Sequence, residues 1–122
     1  MKLIFRDRLP GLNEINNANR RNPYVGAKMK KETQEGLMWI WNKYKNQTFQ
    51  NKVNIRIHFY EPNERRDEDN VMAGGMKVIL DALQKLKIIK NDSQKYVHVV
   101  PEVFVDRKNP RIEVDIEEEQ HA

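Results

Sequence analysis

Between Val53 and Tyr60 hydrophobic and polar residues alternate. Val53, Ile55, Ile57 and Phe59 fall on one side, and Asn54, Arg56, His58 and Tyr60 on the other. That period of two predicts a strand over residues 52–60 with one buried face. It is ended by Glu61-Pro62-Asn63. Residues 2–9 (KLIFRDRL) alternate in part and read as another strand, closed by Pro10-Gly11. Two more strands are expected over 95–105 and 111–117, as a hairpin around Arg107-Lys108-Asn109-Pro110. The period changes in two stretches. Over 28–45, Leu37, Ile40, Trp41 and Tyr44 recur at three and four residues, which predicts a helix. Trp39 lies off that stripe and suits a second contact, such as one between subunits; core packing is the expectation for both tryptophans, and stacking on a base the lesser alternative. Over 70–87, Met72, Met76, Ile79, Leu83 and Leu86 form the stripe of a second helix. Gly74-Gly75 sits inside it at a cost of about 1 kcal/mol per glycine. The pair therefore implies irregular first turns or a close approach by a backbone or ligand. Residues 11–27 hold five asparagines, two arginines, Pro23 and two glycines, and read as a long polar loop.

The order is β-α-β-α-β-β. It describes an α+β (mixed α/β) fold, one small domain over residues 1–122, with helices packed on a mixed sheet. A chain of 122 residues with 39% hydrophobic residues can bury a modest core, which dimerisation would reinforce. There is no cysteine, so a disulfide scaffold and a thiolate zinc site are excluded. His58, His98 and His121 are too scattered for a histidine-rich metal site. No apolar run is long enough to span a membrane, and the N-terminus has no signal-peptide pattern. A cytoplasmic location with no membrane partner is the expectation.

The 22 basic and 18 acidic residues are unevenly spread. From Arg111 onward there are five acids and one base, so residues 1–110 carry 21 basic and 13 acidic residues, a net +8. A basic body with an acidic tail over about 113–122 suits a polyanionic partner. The clusters Arg20 and Arg21, Lys28, Lys30 and Lys31, and Arg65 and Arg66 are the candidate contacts to a nucleic-acid backbone.

The densest chemistry lies in Arg65-Arg66-Asp67-Glu68-Asp69-Asn70, at the junction of a strand and a helix. Helix capping accounts for one or two of these acids. Three crowded carboxylates repel unless something positive binds them. Mg²⁺, which takes one or two carboxylates plus water and substrate phosphate, is the natural candidate, and Mn²⁺ a substitute. Asp67 and Asp69 are two residues apart, a spacing that in extended chain points both the same way. Asp92, after the second helix, joins them only if the chain brings it back. Lys77 and Asp81 are at helical i,i+4 spacing, either a surface ion pair or a lysine placed to offset phosphate charge.

The runs RRDEDN (65–70), MKVILDALQKLKII (76–89) and NDSQKYV (91–97) together resemble the RusA family of Holliday-junction resolvases, small endonucleases common in phages and prophages. The resemblance is close over positions 56–105. It implies a homodimer that binds four-way or other branched DNA and cuts two strands with Mg²⁺ for recombination or repair. No small-molecule cofactor beyond the metal is implied. It assigns Asp67, Asp69 and Asp92 as catalytic metal ligands and Lys77 as the catalytic lysine. In the family pattern that lysine follows the second aspartate by four residues, a position occupied here by Ala73. The added four residues of Lys77 rotate it by about 40° and move it about 6 Å along a regular helix. A non-catalytic DNA-binding module, a general branched-DNA nuclease and a structural dimer with a Trp39 contact are the other classes the sequence admits.

Overall fold

In a computed structural model, which describes residues 1–119, the chain runs through strand β1 (Lys2–Phe5), helices α1 (Leu12–Arg21) and α2 (Pro23–Ile40) and a 3-10 turn (Asn42–Tyr44). It continues through strand β2 (Val53–Glu61), helix α3 (Glu68–Lys85) and strands β3 (Val97–Val105) and β4 (Arg111–Glu118). The α+β order read from the sequence holds, with an additional helix. The four strands form one mixed sheet in the order β1-β4-β2-β3.

β2 is the spine. Its alternation is realised without slip: Val53, Ile55, Ile57 and Phe59 are buried. They meet Val71, Val78, Ile79, Ala82 and Leu83 of α3, together with Leu37 and Trp41, in one core. The opposite face of the sheet carries Arg56, His58, Tyr60, Glu113 and Asp115. β2 pairs in parallel with β3, from Val53 beside Val97 to Glu61 beside Val105. A parallel pair needs a long crossover, and α3 supplies it.

The expected hairpin of the last two strands does not form. β3 lies at the sheet edge, while β4 passes it and pairs antiparallel with both β2 and β1. The reason is visible in their side chains. Ile112, Val114 and Ile116 of β4 are fully buried, as a central strand requires, whereas β3 contains Pro101, which lacks a ladder donor and belongs at an edge. The crossing is held by Asp106, whose Oδ1 accepts from the backbone N–H groups of Lys108 and Asn109, at 3.2 Å each. Residues 113–118, read as the start of an acidic tail, are part of β4; residues 120–122, which include His121, lie outside the described residues.

The polar stretch 11–27 is helical rather than a loop. α1 is amphipathic, with Leu12, Ile15 and Ala18 three residues apart, but it buries only Ile15, and its asparagines, with Pro23 after them, read as loop chemistry. Packing against α2 and α3 stabilises it, as tertiary contact does for most short helices. Asn22 separates the two helices, and its side chain caps α2 by accepting from the Tyr24 N–H at 2.9 Å. Pro23 then sits at the first helical position, where its missing N–H costs nothing. α2 thus spans Pro23–Ile40, starting and ending five residues before the expected 28–45. Of its expected stripe, Leu37 and Trp41 are buried, Tyr44 is half-buried and Ile40 is exposed. Trp41 packs in the core as expected and donates its indole N–H to the Ile4 carbonyl at 3.1 Å, whereas Trp39, off the buried stripe of α2, is 84% exposed and is not a core residue.

α3 is continuous through Gly74-Gly75, so the close-approach expectation is the one realised. A Cβ on Gly74 would lie 2.5 Å from the Pro10 carbonyl oxygen, and one on Gly75 would lie 2.4 Å from the Phe59 ring. The two glycines seat the β1–α1 link and β2 directly on the helix backbone.

Candidate active site

The turn from β2 into α3 is fixed by one carboxylate. Glu61, the last residue of β2, is buried and accepts from two arginines. Arg66 donates to it through Nε at 2.8 Å and Nη2 at 2.9 Å, and Arg8 through Nε at 3.1 Å and Nη2 at 2.9 Å. Both pairs are two-toothed, the geometry in which arginine binds carboxylate most strongly. Burial by itself would raise the Glu61 carboxyl, but the hydrogen bonds and charges of Arg8 and Arg66 prevail and hold it below its ordinary value. Arg66 also donates through Nη1 to the Leu9 carbonyl at 3.0 Å and to Glu14 at 2.9 Å. It therefore ties β2, the β1–α1 link and α1 together immediately before Asp67.

Beyond that clamp the three acids stand at the N-terminus of α3. Asp67 occupies the N-cap position, yet its side chain makes no capping hydrogen bond. Glu68 and Asp69 follow in the first turn. All three are exposed, and among the described residues none of them takes part in an ion pair or a side-chain hydrogen bond. Capping, the plain alternative for this cluster, is thus not what Asp67 does. The unpaired N–H groups and the dipole of the helix end favour negative charge there and offset part of the mutual repulsion. Asn70 serves the fold instead. Its Oδ1 accepts the Asn13 N–H at 2.7 Å and docks the start of α1 onto α3.

Two clefts open on either side of Asp67 and Glu68. One, of about 390 Å³, is walled by Asn63, Glu64 and Arg66 and by Val103, Phe104 and Val105 of β3. The other, of about 510 Å³, includes Asp69, Asn70, Leu12, Asn13 and Ala73. Ala73, four residues after Asp69, therefore lines the site. Lys77 lies one turn further along and is exposed. Helical side chains tilt toward the N-terminus, so the long lysine chain leads back toward Ala73. Lys77 makes no ion pair with Asp81; Asp81 instead accepts from the buried Gln34 of α2 at 3.1 Å, and Gln34 accepts from Lys85 at 2.7 Å.

Asp92 is not brought to this cluster within the chain. It follows the C-terminal end of α3, whose 18 residues span about 27 Å. The strand after it begins at Val97, beside Val53, whereas Asp67 follows the Glu61 end of β2. Asp67 and Asp92 therefore occupy opposite ends of the domain. The basic candidates are dispersed. Arg20 and Arg21 end α1, and Lys28, Lys30 and Lys31 lie along α2, with Lys28 and Lys31 in loose pairs to Glu32 and Glu35 at 3.9 and 4.0 Å. Arg65 is exposed, whereas the guanidinium of Arg66 is committed to Glu61 and Glu14.

The oxygen donors of Asp67 and Asp69 suit Mg²⁺ or Mn²⁺, which need only one or two carboxylates when water and phosphate complete the shell. Among the described residues no three His, Asp or Glu side chains converge enough to hold an ion. The two aspartates line one cleft, but Asp67 is extended and Asp69 already helical, so the alignment expected of an extended stretch is not realised, and the expected triad does not form within one chain.

Sequence reasoning missed the partners of the clamp. Arg8 and Glu61 stand 53 residues apart and carry no motif, and Glu61 read only as the end of a strand. The signal available was a charged residue continuing the buried register of β2.

No helix among the described residues is long and apolar enough to cross a membrane. Residues 13–117 match the family model described as endodeoxyribonuclease RusA. No curated protein matches the chain.

Proposed function

The chain belongs to the RusA endodeoxyribonuclease family, and from that premise we propose that it is a divalent-metal-dependent endonuclease that resolves four-way DNA junctions as a homodimer. The observation that carries this reading is the state of Asp67 and Asp69: exposed at a helix N-terminus, without a side-chain partner among the described residues, and next to the Arg66 clamp. Charge left uncommitted on a rigid support is what a metal and phosphate site requires.

In this reading Asp67 and Asp69 hold the cation, Mg²⁺ or Mn²⁺. When bound, it supplies Lewis acidity and a water of lowered pKa. Lys77 offsets charge on the scissile phosphate. Arg65, with Arg20, Arg21, Lys28, Lys30 and Lys31, holds the DNA backbone, while Arg66 positions Asp67. Asp92 completes the ligand set from the second copy of the dimer. Its position at the far end of α3 supports a shared site over one within a single chain.

The test is cleavage of an immobile four-way junction with Mg²⁺, beside a linear duplex of the same arms. Wild type is expected to cut two strands symmetrically and spare the duplex, and Asp69→Asn to bind without cutting. Equal cutting by Asp69→Asn overturns its metal role. Equal cutting of duplex and junction makes the protein a general nuclease, and junction binding without nicks makes it a binding module. Mixed dimers of Asp69→Asn with Asp92→Asn test the shared site. One intact site remains if Asp92 acts across the dimer, giving single nicks, and none remains if it acts within its own chain.

A further inference from the structure

One row of side chains crosses the open face of the sheet beside the proposed site. Arg111 of β4, Tyr60 of β2 and Phe104 of β3 are direct neighbours in register. The Arg111 guanidinium lies 3.8 Å from the centre of the Tyr60 ring. Tyr60 and Phe104 stack with centroids 5.3 Å apart and planes inclined by 23°. His58 meets Phe104 edge-on at 5.2 Å. Arg111 is itself fixed by Asp106 at 2.9 Å and Glu113 at 2.8 Å, so the stack rests on a rigid base.

The row ends at Phe104, because β3 is the outermost strand. Phe104 is 38% exposed and is one of the β3 residues that border the cleft of Asp67 and Glu68, where its ring lies on the open side of the sheet edge with Tyr60. Resting on the nuclease reading above, we propose that Phe104 is a stacking site for a nucleobase displaced at the branch point of the DNA.

The chemistry of the cleft selects that occupant. Asn63, Glu64 and Glu68 line the same cleft as Phe104 and carry oxygen acceptors, which suit the exocyclic amino groups of a base and disfavour a phosphate. A base is a flat, neutral π-surface that extends an aromatic stack, and such stacking tolerates any sequence. The apolar side chains of a second protein copy would leave those acceptors without partners on burial. Removing a base from a duplex costs a few kcal/mol and costs least where pairing is already disturbed. A stacking site beside the carboxylates therefore favours branched DNA over duplex at the cutting position, independently of sequence.

The experiment measures dissociation constants for a four-way junction and a linear duplex in EDTA, with wild type, Phe104→Leu and Phe104→Trp. Leucine keeps an apolar side chain and removes the ring. Phe104→Leu is expected to weaken junction binding about tenfold and leave duplex binding within about twofold, with Phe104→Trp restoring the junction value. A 2-aminopurine at the branch point should be quenched by wild type and not by Phe104→Leu. Unchanged junction affinity, or equal weakening of junction and duplex, overturns the proposal. A changed oligomeric mass in ultracentrifugation with unchanged junction preference also overturns it and assigns the edge to a second copy. These outcomes leave the nuclease reading standing if wild type still cuts junctions, whereas a wild type that neither prefers nor cuts a junction removes both.

Discussion

Arg66 and Glu61 face each other across the turn from β2 to α3 with paired hydrogen bonds of 2.8 and 2.9 Å, and the residue that follows this clamp is Asp67. The buried ion pair converts the flat end of a strand into a fixed launching point for the helix. Its contribution is as much positional as energetic, since buried pairs gain little over an apolar replacement while half of one is costly.

Removing one partner should therefore be expensive. Glu61→Ala strands two guanidinium groups and is expected to lower unfolding stability by about 3 kcal/mol, read from urea midpoints. Arg8→Ala should cost clearly less than Arg66→Ala, because the Arg8 side chain is 37% exposed and that of Arg66 is 14% exposed. Equal losses for the two arginine variants would show that Arg66 is not the principal partner.

The same carboxylate sets an acid limit. Its folded value lies below the ordinary 4.5, so the unfolded chain takes up this proton first as pH falls. The stabilisation is complete well above pH 4.5 and is lost as pH falls through the depressed folded value. Asp106 and Glu113 are shifted in the same direction, by Arg111 and by Lys2, but they are only partly buried, on the open side of the sheet, and are better screened than Glu61. Glu61→Gln should thus flatten the fall of stability with acid more than Asp106→Asn does. Parallel stability curves for wild type and Glu61→Gln below pH 4.5 would contradict this.

The glycines of α3 separate propensity from packing. Alanine favours a helix over glycine by about 1 kcal/mol. At Gly36 of α2 nothing stands within 4 Å of an added Cβ, so Gly36→Ala should raise stability by about 0.5–1 kcal/mol. At Gly74 the same change meets the backbone of Pro10, Gly11 and Leu12 at 2.5–2.7 Å. Gly74→Ala should therefore destabilise by about 2 kcal/mol despite its gain in propensity, in thermal or urea unfolding. A neutral Gly74→Ala would mean that the β1–α1 link is not seated on the helix.

Lys77 lies one turn beyond the wall of the site. If it offsets phosphate charge, Lys77→Ala should lower the cleavage rate about a hundredfold with little change in junction affinity. The double change Ala73→Lys with Lys77→Ala should then recover part of the rate, since residue 73 borders the cleft that contains Asp69. A Lys77→Ala enzyme that cuts at the wild-type rate would remove the lysine from the reaction.

The sequence by itself determined those parts of the protein in which local pattern and burial coincide. β2 was legible because its two faces differ at each step from Val53 to Tyr60. α3 was legible because its apolar stripe survives two glycines, and the acids at its start because charge is dense there. α1 was not legible as a helix, because its short apolar stripe, Leu12, Ile15 and Ala18, is set among asparagines typical of turns, and its helix is stabilised by neighbours. Only the tertiary structure decided that β4 would enter between β1 and β2, because pairing depends on which strands need burial on the same face and not on their order in the chain. It also decided the roles of like residues. Arg65 stays exposed and Arg66 is bound, although they are adjacent, because Glu61, Leu9 and Glu14 converge on one of them from distant parts of the chain. Asp67 and Asp92 carry the same chemistry in sequence, and a straight helix of about 27 Å places them at opposite ends of the fold.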